Sequence, residues 1–140
     1  MKMVIYVVAA FATVAANAAV AQGSARTKAD VVCVSAGQFL QYDCTIKLTN
    51  ARTGAPLSGV VLTVGADMPS MPGVHNVRPV KAMEQAVKGT YQARIDLEMH
   101  GDWAVRLDLS GSVRDRVIAV LSFEGERVGP ANPASGRRKH

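Results

Sequence analysis

Two segments in the second half of the chain alternate apolar and polar side chains, and this period of two constrains the fold most. In YQARIDL, residues 91–97, every second side chain is apolar. The same holds in WAVRLDL, residues 103–109, where Arg106 and Asp108 fall on the opposite face. Such alternation is typical of β-strands that bury one face. We therefore expect both segments to be strands that face one core.

The rest of the chain extends this pattern, because no long segment has the 3.6-residue period of a helix. Turn residues separate the apolar segments, among them Gly54, Pro56, Gly59, Gly89 and Gly111. A parallel sheet is excluded, since there are no crossover helices to connect its strands. The sequence predicts an all-β, immunoglobulin-like antiparallel β-sandwich of about seven strands. The predicted strands are 31–35, 40–49, 60–65, 80–84, 91–97, 103–109 and 113–123.

The N-terminal segment has the layout of an export signal. Lys2 precedes an apolar run that contains no charge before Arg26, and Ala19-Val20-Ala21 supplies the small-x-small pattern of a cleavage site before Gln22. This predicts export to the periplasm. An uncleaved membrane anchor is the alternative, because the run approaches bilayer length; alanine and Asn17 weaken that reading. Membrane contact is expected only through such an uncleaved signal.

The distribution of charge along the chain bears on the class of partner and on the domain boundaries. The net charge is +5, but three of the basic residues lie in the terminal GRRKH, and residues 26–127 hold 12 basic against 11 acidic residues. The basic side chains are scattered singly, which excludes a nucleic-acid footprint. We expect a signal peptide over 1–21, an N-terminal lead over 22–29, the β-sandwich domain over 30–126 and a disordered basic tail over 127–140.

Cys33 and Cys44 are the only cysteines, and export would place them in an oxidising compartment. A tight turn around Gln38 and Phe39 makes residues whose numbers sum to 77 face each other across a hairpin, and this pair does. Directly opposed residues have Cα atoms roughly 4.5 to 5.5 Å apart, within reach of a disulfide. The sequence predicts a Cys33–Cys44 disulfide; copper-binding thiolates are the alternative.

Methionine and histidine concentrate in two predicted loops, 67–79 and 98–102. If successive strands run up and down, the loops after the third and the fifth strand lie at the same end of the sandwich. Thioether sulfur is a soft ligand for Cu(I), and neutral imidazole binds copper in either oxidation state. The sequence predicts a copper site, with Cu(I) favoured over Cu(II), whose candidate ligands are Met68, Met71, His75, Met99 and His100.

Packing is the competing explanation for these side chains. The inward parity of strand 91–97 places Met99 over the core near Trp103, where a thioether packs well against an indole. The two Met-Pro pairs at Pro69 and Pro72 stiffen the loop, and they can equally serve as apolar cover. The first candidates for the metal are then Met71, His75 and His100.

The segment 67–109 resembles the YtkA-like domain and the periplasmic part of FixH-type proteins. The resemblance covers residues 53–109, and a Met-Pro-x-Met-Pro loop, a Gly-x-Tyr pair and a Met-x-Gly-x-Trp hairpin carry it. The matching residues are Met68, Pro69, Met71, Pro72, Gly89, Tyr91, Met99, Gly101 and Trp103. FixH-type proteins keep a membrane anchor, whereas the cleavage site here suggests release, and the cysteine pair is not part of the motif.

The resemblance implies an immunoglobulin-like domain outside the cytoplasmic membrane, in the context of copper-dependent oxidase maturation, copper chaperones or heavy-metal efflux. We expect a periplasmic protein that binds or hands over copper to a copper-handling, oxidase or efflux partner. The alternative is a metal-free interaction module for the same assemblies. No nucleotide loop, nucleophile turn or catalytic dyad stands at a motif spacing, so we do not expect an enzyme.

Overall fold

A computed structural model describes residues 27–131, and antiparallel strands make up most of this range. The predicted signal peptide and the last nine residues lie outside the described part. Residues 27–131 form no helix, and hence none able to cross a membrane. The strands are β1 Thr27–Ser35, β2 Gln41–Asn50, β3 Val60–Asp67, β4 Val80–Lys81, β5 Met83–Glu84, β6 Thr90–Asp96, β7 Gly101–Gly111, β8 Asp115–Glu124 and β9 Arg127–Pro130.

The strands pair into two sheets packed face to face. One has the order β1-β2-β6-β5 and the other β4-β3-β7-β8-β9, and every pairing is antiparallel. The two alternating segments became β6 and β7, one in each sheet, and their apolar faces meet in a core centred on Trp103. The predicted all-β sandwich is confirmed. The largest fully buried side chains are Trp103, Tyr42, Tyr91, Phe123, Ile46, Leu48, Leu62, Ile95, Leu107, Val64 and Val105.

The first hairpin has the predicted register. Cys33 lies opposite Cys44, their Cα atoms are 4.0 Å apart, and a disulfide joins them. Both cysteines are buried and belong to the core. The bond ties the edge strand β1 to β2 inside the sandwich, so the disulfide prediction is confirmed.

The predicted strand 80–84 is divided in two. Val80 and Lys81 pair with β3, whereas Met83 and Glu84 pair with β6, so the chain crosses from one sheet to the other at Ala82. The Ala82 N–H donates to the Leu62 carbonyl at 2.9 Å, which holds the crossing against β3. Short segments of this kind at both sheet edges limit the length of backbone left unpaired.

Two predicted boundaries differ from the structure. The tail predicted from residue 127 begins too early, because Arg127–Pro130 forms β9 and pairs with β8. The lead predicted for 22–29 also overlaps the domain, since β1 begins at Thr27, whose N–H donates to the Asp115 carboxylate at 3.0 Å. The alternation of apolar and polar residues is weak in both segments. Each segment is a strand because it pairs with a neighbouring strand, β1 with β2 and β9 with β8.

Candidate functional site at the loop pole

Four connections meet at one end of the sandwich. Gln41 at the start of β2 pairs with Asp96 at the end of β6, and Asp67 at the end of β3 pairs with Ala104 near the start of β7. The turns and loops beyond these residues therefore project from the same end. We call this end the loop pole; it comprises residues 36–40, 68–79, 97–100 and 125–126. The expectation that the two methionine- and histidine-bearing loops share one end is confirmed.

His75 connects the two loops through its imidazole ring. Its Nδ1 lies 2.6 Å from Oε2 of Glu98 in the other loop, and its ring packs at a tilt on Trp103 with the centroids 5.1 Å apart. The His75 side chain is only 11% exposed. Its second ring nitrogen, Nε2, is buried and has no hydrogen-bond partner among the described residues. A buried nitrogen without a partner is costly and calls for an explanation.

The Glu98 carboxylate serves both sides of this contact. Oε2 meets the His75 ring, and Oε1 accepts a hydrogen bond from the Asn76 N–H at 3.3 Å. The hydrogen bond with His75 is the main reason why the pKa of the Glu98 carboxyl lies below its ordinary value. An ionised carboxylate only accepts hydrogen bonds, so Nδ1 of His75 must donate. In the neutral imidazole, Nε2 then carries the lone pair.

Trp103 and Gly101 shape the loop that carries Glu98. The Trp103 indole N–H donates to the Met99 carbonyl at 3.0 Å, which closes the turn formed by residues 99–103. Gly101 has a φ of +135°, and a Cβ atom there would come within 2.9 Å of the Met68 methyl carbon. The backbone conformation therefore calls for glycine at this position, whereas the methyl end of the flexible Met68 side chain could move aside. The close approach also brings Met68 against the second loop.

The methionines divide between core and surface. Met68 is 4% exposed and is part of the core, whereas Met71 and Met99 are 36% and 40% exposed. The Met71 N–H donates to the Met68 carbonyl at 3.0 Å, so a tight turn separates the two thioethers. The expectation that Met99 packs over the core is wrong. The chain leaves the strand geometry after Asp96, and Met68 takes the buried position at this end.

His100 lies at a different part of the loop pole. Its ring contacts the Phe39 ring of the first hairpin edge-on, with the ring centroids 5.7 Å apart. Phe39 itself is 84% exposed. Both line an open cavity of about 310 Å³ next to Tyr42, whose hydroxyl donates to the Gly125 carbonyl at 2.8 Å. The contacts of His75 are thus with Glu98 and Trp103, and those of His100 are with the first hairpin.

The hairpin that presents Phe39 has an unusual backbone. Leu40 adopts a φ of +58°, the left-handed region that residues other than glycine seldom occupy. Its carbonyl accepts the Leu97 N–H at 2.9 Å, which joins the hairpin to the second loop. This tertiary hydrogen bond holds the conformation and with it the outward position of Phe39.

Glu98 is the residue that the sequence interpretation missed. It stands next to Met99 in the second loop, but a carboxylate 23 positions away from His75 matches no motif spacing. The usable signal was its location, since a polar side chain in loop 98–102 can reach loop 67–79 once the two loops share an end. Residues 27–131 contain no cluster of three or more histidine, cysteine or acidic side chains placed to hold a metal ion. Methionine sulfur would have to supply the remaining ligands.

Comparison with known protein families supports the resemblance to the YtkA-like domain that the motif indicated. The YtkA-like family profile matches residues 22–108, more than half of the chain. The chain belongs to the YtkA-like family. No curated protein and no solved structure shows significant similarity to it. The FixH-type part of the resemblance stays a prediction.

Several motif residues of this YtkA-like domain have structural roles. Gly89 has a φ of +79°, and a Cβ atom there would lie 2.8 Å from the Cβ of Pro56. The Tyr91 hydroxyl donates to the Leu57 carbonyl at 2.8 Å and accepts the Val60 N–H at 3.1 Å, which closes the opposite end of the sandwich. These motif positions therefore stabilise the fold. His75 and Glu98, which form the polar contact between the loops, stand outside the motif.

Proposed function

We propose that this YtkA-like protein is exported to the periplasm and there binds or hands over copper, with Cu(I) favoured over Cu(II), through methionine and histidine at the loop pole. The observation that carries the proposal is His75: Nδ1 is engaged by Glu98, and Nε2 is buried without a partner among the described residues. Metal-binding histidines commonly donate their other ring N–H to a carboxylate. The imidazole thus has the environment expected of a ligand.

The methionines of the two loops offer soft sulfur donors at the same pole as His75. Met71 lies four residues before it in the same loop and is partly exposed, so its thioether is accessible from solvent. Thioether and imidazole together suit Cu(I), while carboxylate-rich sites suit harder cations. We propose Met71 and His75 as the principal ligands, with Met68, Met99 and His100 as further candidates. Met68 would have to leave the core to bind, and His100 would have to leave Phe39.

The proposed compartment agrees with the cysteine chemistry. The Cys33–Cys44 disulfide is typical of proteins that fold in an oxidising environment, and the N-terminal segment has the layout of an export signal. Copper would be cargo in such a protein, passed to an oxidase, a chaperone or an efflux component. The proposal assigns the chain no catalytic step.

The test is a Cu(I) titration in competition with a colorimetric Cu(I) chelator, under anaerobic conditions with a reductant that contains no thiol. Met71→Ala with His75→Ala should lose more than the about 10–100-fold in affinity that removal of an outer-shell partner costs. Met83→Ala is the matched control, because Met83 is an exposed methionine of β5, outside both loops. Copper affinity equal to wild type in the double variant would reject this ligand assignment.

A metal-free interaction module is the second candidate, and the exposure of Phe39 favours it. Phe39 and Val74 are largely exposed at the loop pole, and Met71 and Met99 are partly exposed at the same pole. Contiguous apolar side chains on a surface mark contact sites for other proteins. If wild type fails to compete with the chelator, and the double variant also unfolds, a packing and docking role accounts for the loop residues better than copper does.

A further inference from the structure

In the hydrogen bond between His75 and Glu98, one ring nitrogen must be the donor, and this determines which ring nitrogen is left to bind a ligand. Glu98 Oε2 lies 2.6 Å from Nδ1, and the carboxylate cannot donate. The proton of the neutral ring therefore sits on Nδ1, and the lone pair is on Nε2. That nitrogen is buried and is not used by any hydrogen bond among residues 27–131.

We infer that Glu98 is a positioning residue that selects the Nδ1–H tautomer of His75 and so presents Nε2 as the copper-binding atom. The inference rests on the proposed function, which it deepens by naming the ligand atom and the group that orients it. Glu98 would not touch the metal itself.

Two further contacts make the arrangement specific. The other Glu98 oxygen accepts the Asn76 N–H at 3.3 Å, so one carboxylate fixes both the ring of His75 and the backbone next to it. The Trp103 ring packs against the imidazole and restricts its rotation, and Trp103 is itself held by its hydrogen bond to the Met99 carbonyl. A glutamine at position 98 replaces one of these two oxygens with an NH2 group that donates, so it cannot offer a separate acceptor oxygen to each partner.

Glu98→Gln is the discriminating variant, because the Glu98 side chain is 47% exposed and contributes nothing to the core. Glu126→Gln is its matched control. Glu126 is an exposed carboxylate of the same pole, makes no hydrogen bond or ion pair within the described residues, and its replacement removes the same charge. A general electrostatic effect would act in both variants, whereas a positioning effect would act only at Glu98.

The first measurement is the ¹⁵N spectrum of the histidine rings in the metal-free protein, which distinguishes the two tautomers directly. Wild type and Glu126→Gln should hold His75 as the Nδ1–H form, and Glu98→Gln should show a mixture of both forms. An unchanged tautomer in Glu98→Gln would overturn the inference, whatever the protein does with copper.

The second measurement is Cu(I) affinity by chelator competition on the same proteins. Glu98→Gln should weaken binding about 10–100-fold, the usual effect of removing an outer-shell partner, and Glu126→Gln should match wild type. Equal losses in both variants would overturn the inference in favour of a charge effect. A wild-type protein that holds the Nδ1–H tautomer but does not bind Cu(I) would refute the proposed function while retaining the role of Glu98 in orienting the ring.

Discussion

Removal of the disulfide should destabilise the domain by a predictable amount. Cys33 and Cys44 are separated by 11 positions and lie buried at directly opposed places of β1 and β2. In the chain-entropy model, cross-linking a loop of this size stabilises the folded state by about 3 kcal/mol. Cys33→Ala with Cys44→Ala should therefore lower the free energy of unfolding by about 3 kcal/mol, because the unfolded chain regains that freedom.

Equilibrium urea unfolding of the oxidised wild type and the double variant measures this difference. A reductant supplies the internal control: it should destabilise the wild type and leave the double variant unchanged. Alkylation of the non-reduced wild type should modify neither thiol. A loss below about 1 kcal/mol, or quantitative labelling without reduction, would refute the reasoning that the bond is formed and restricts the unfolded chain.

Three further substitutions test the fold. Gly89→Ala should lower the free energy of unfolding by about 1–3 kcal/mol or more, because both the positive φ and the nearby Pro56 exclude a side chain. Thermal unfolding measures this loss. Gly54→Ala is the control, since Gly54 also has a positive φ but has open space around it, so the difference between the two variants reports the contact with Pro56. Tyr91→Phe should cost about 1–3 kcal/mol by leaving a buried N–H without its acceptor, measured in urea. The hydrogen bond from Arg116 is the main cause that lowers the pKa of Asp108, so its contribution to stability is present at neutral pH and is lost on acidification below the ordinary carboxyl range. Asp108→Asn should accordingly lower the free energy of unfolding by less than about 1 kcal/mol at pH 7. Urea unfolding at a series of pH values should also show that this free energy falls less on acidification in the variant than in the wild type.

Much of the fold could be predicted because local patterns determined it. The period of two in β6 and β7 identified the inward side chains, and one turn fixed the register that brings Cys33 to Cys44. The division of strand 80–84 at Ala82 could not be read in this way, because it depends on which strands of two different sheets lie beside it. β9 was missed for the same reason, since its pairing partner β8 defines it.

The candidate site was predictable only as a location. Counting strands placed the two loops at one end, and the structure confirms that they meet. The sequence did not distinguish Met68, which is buried, from Met99, which is exposed, because the chain abandons alternation at the turn. Nor did it pair His75 with Glu98, since that contact joins residues brought together only by the tertiary fold.

The central claim is that copper binds through the His75 imidazole and loop methionines. X-ray absorption at the copper edge of the Cu(I)-loaded protein tests this most directly, with wild type and His75→Ala compared. The account predicts a mixed shell of thioether sulfur and one imidazole nitrogen in the wild type, and loss of the imidazole signal in the variant. A spectrum without sulfur, or an imidazole signal that persists after the substitution of His75, would contradict it.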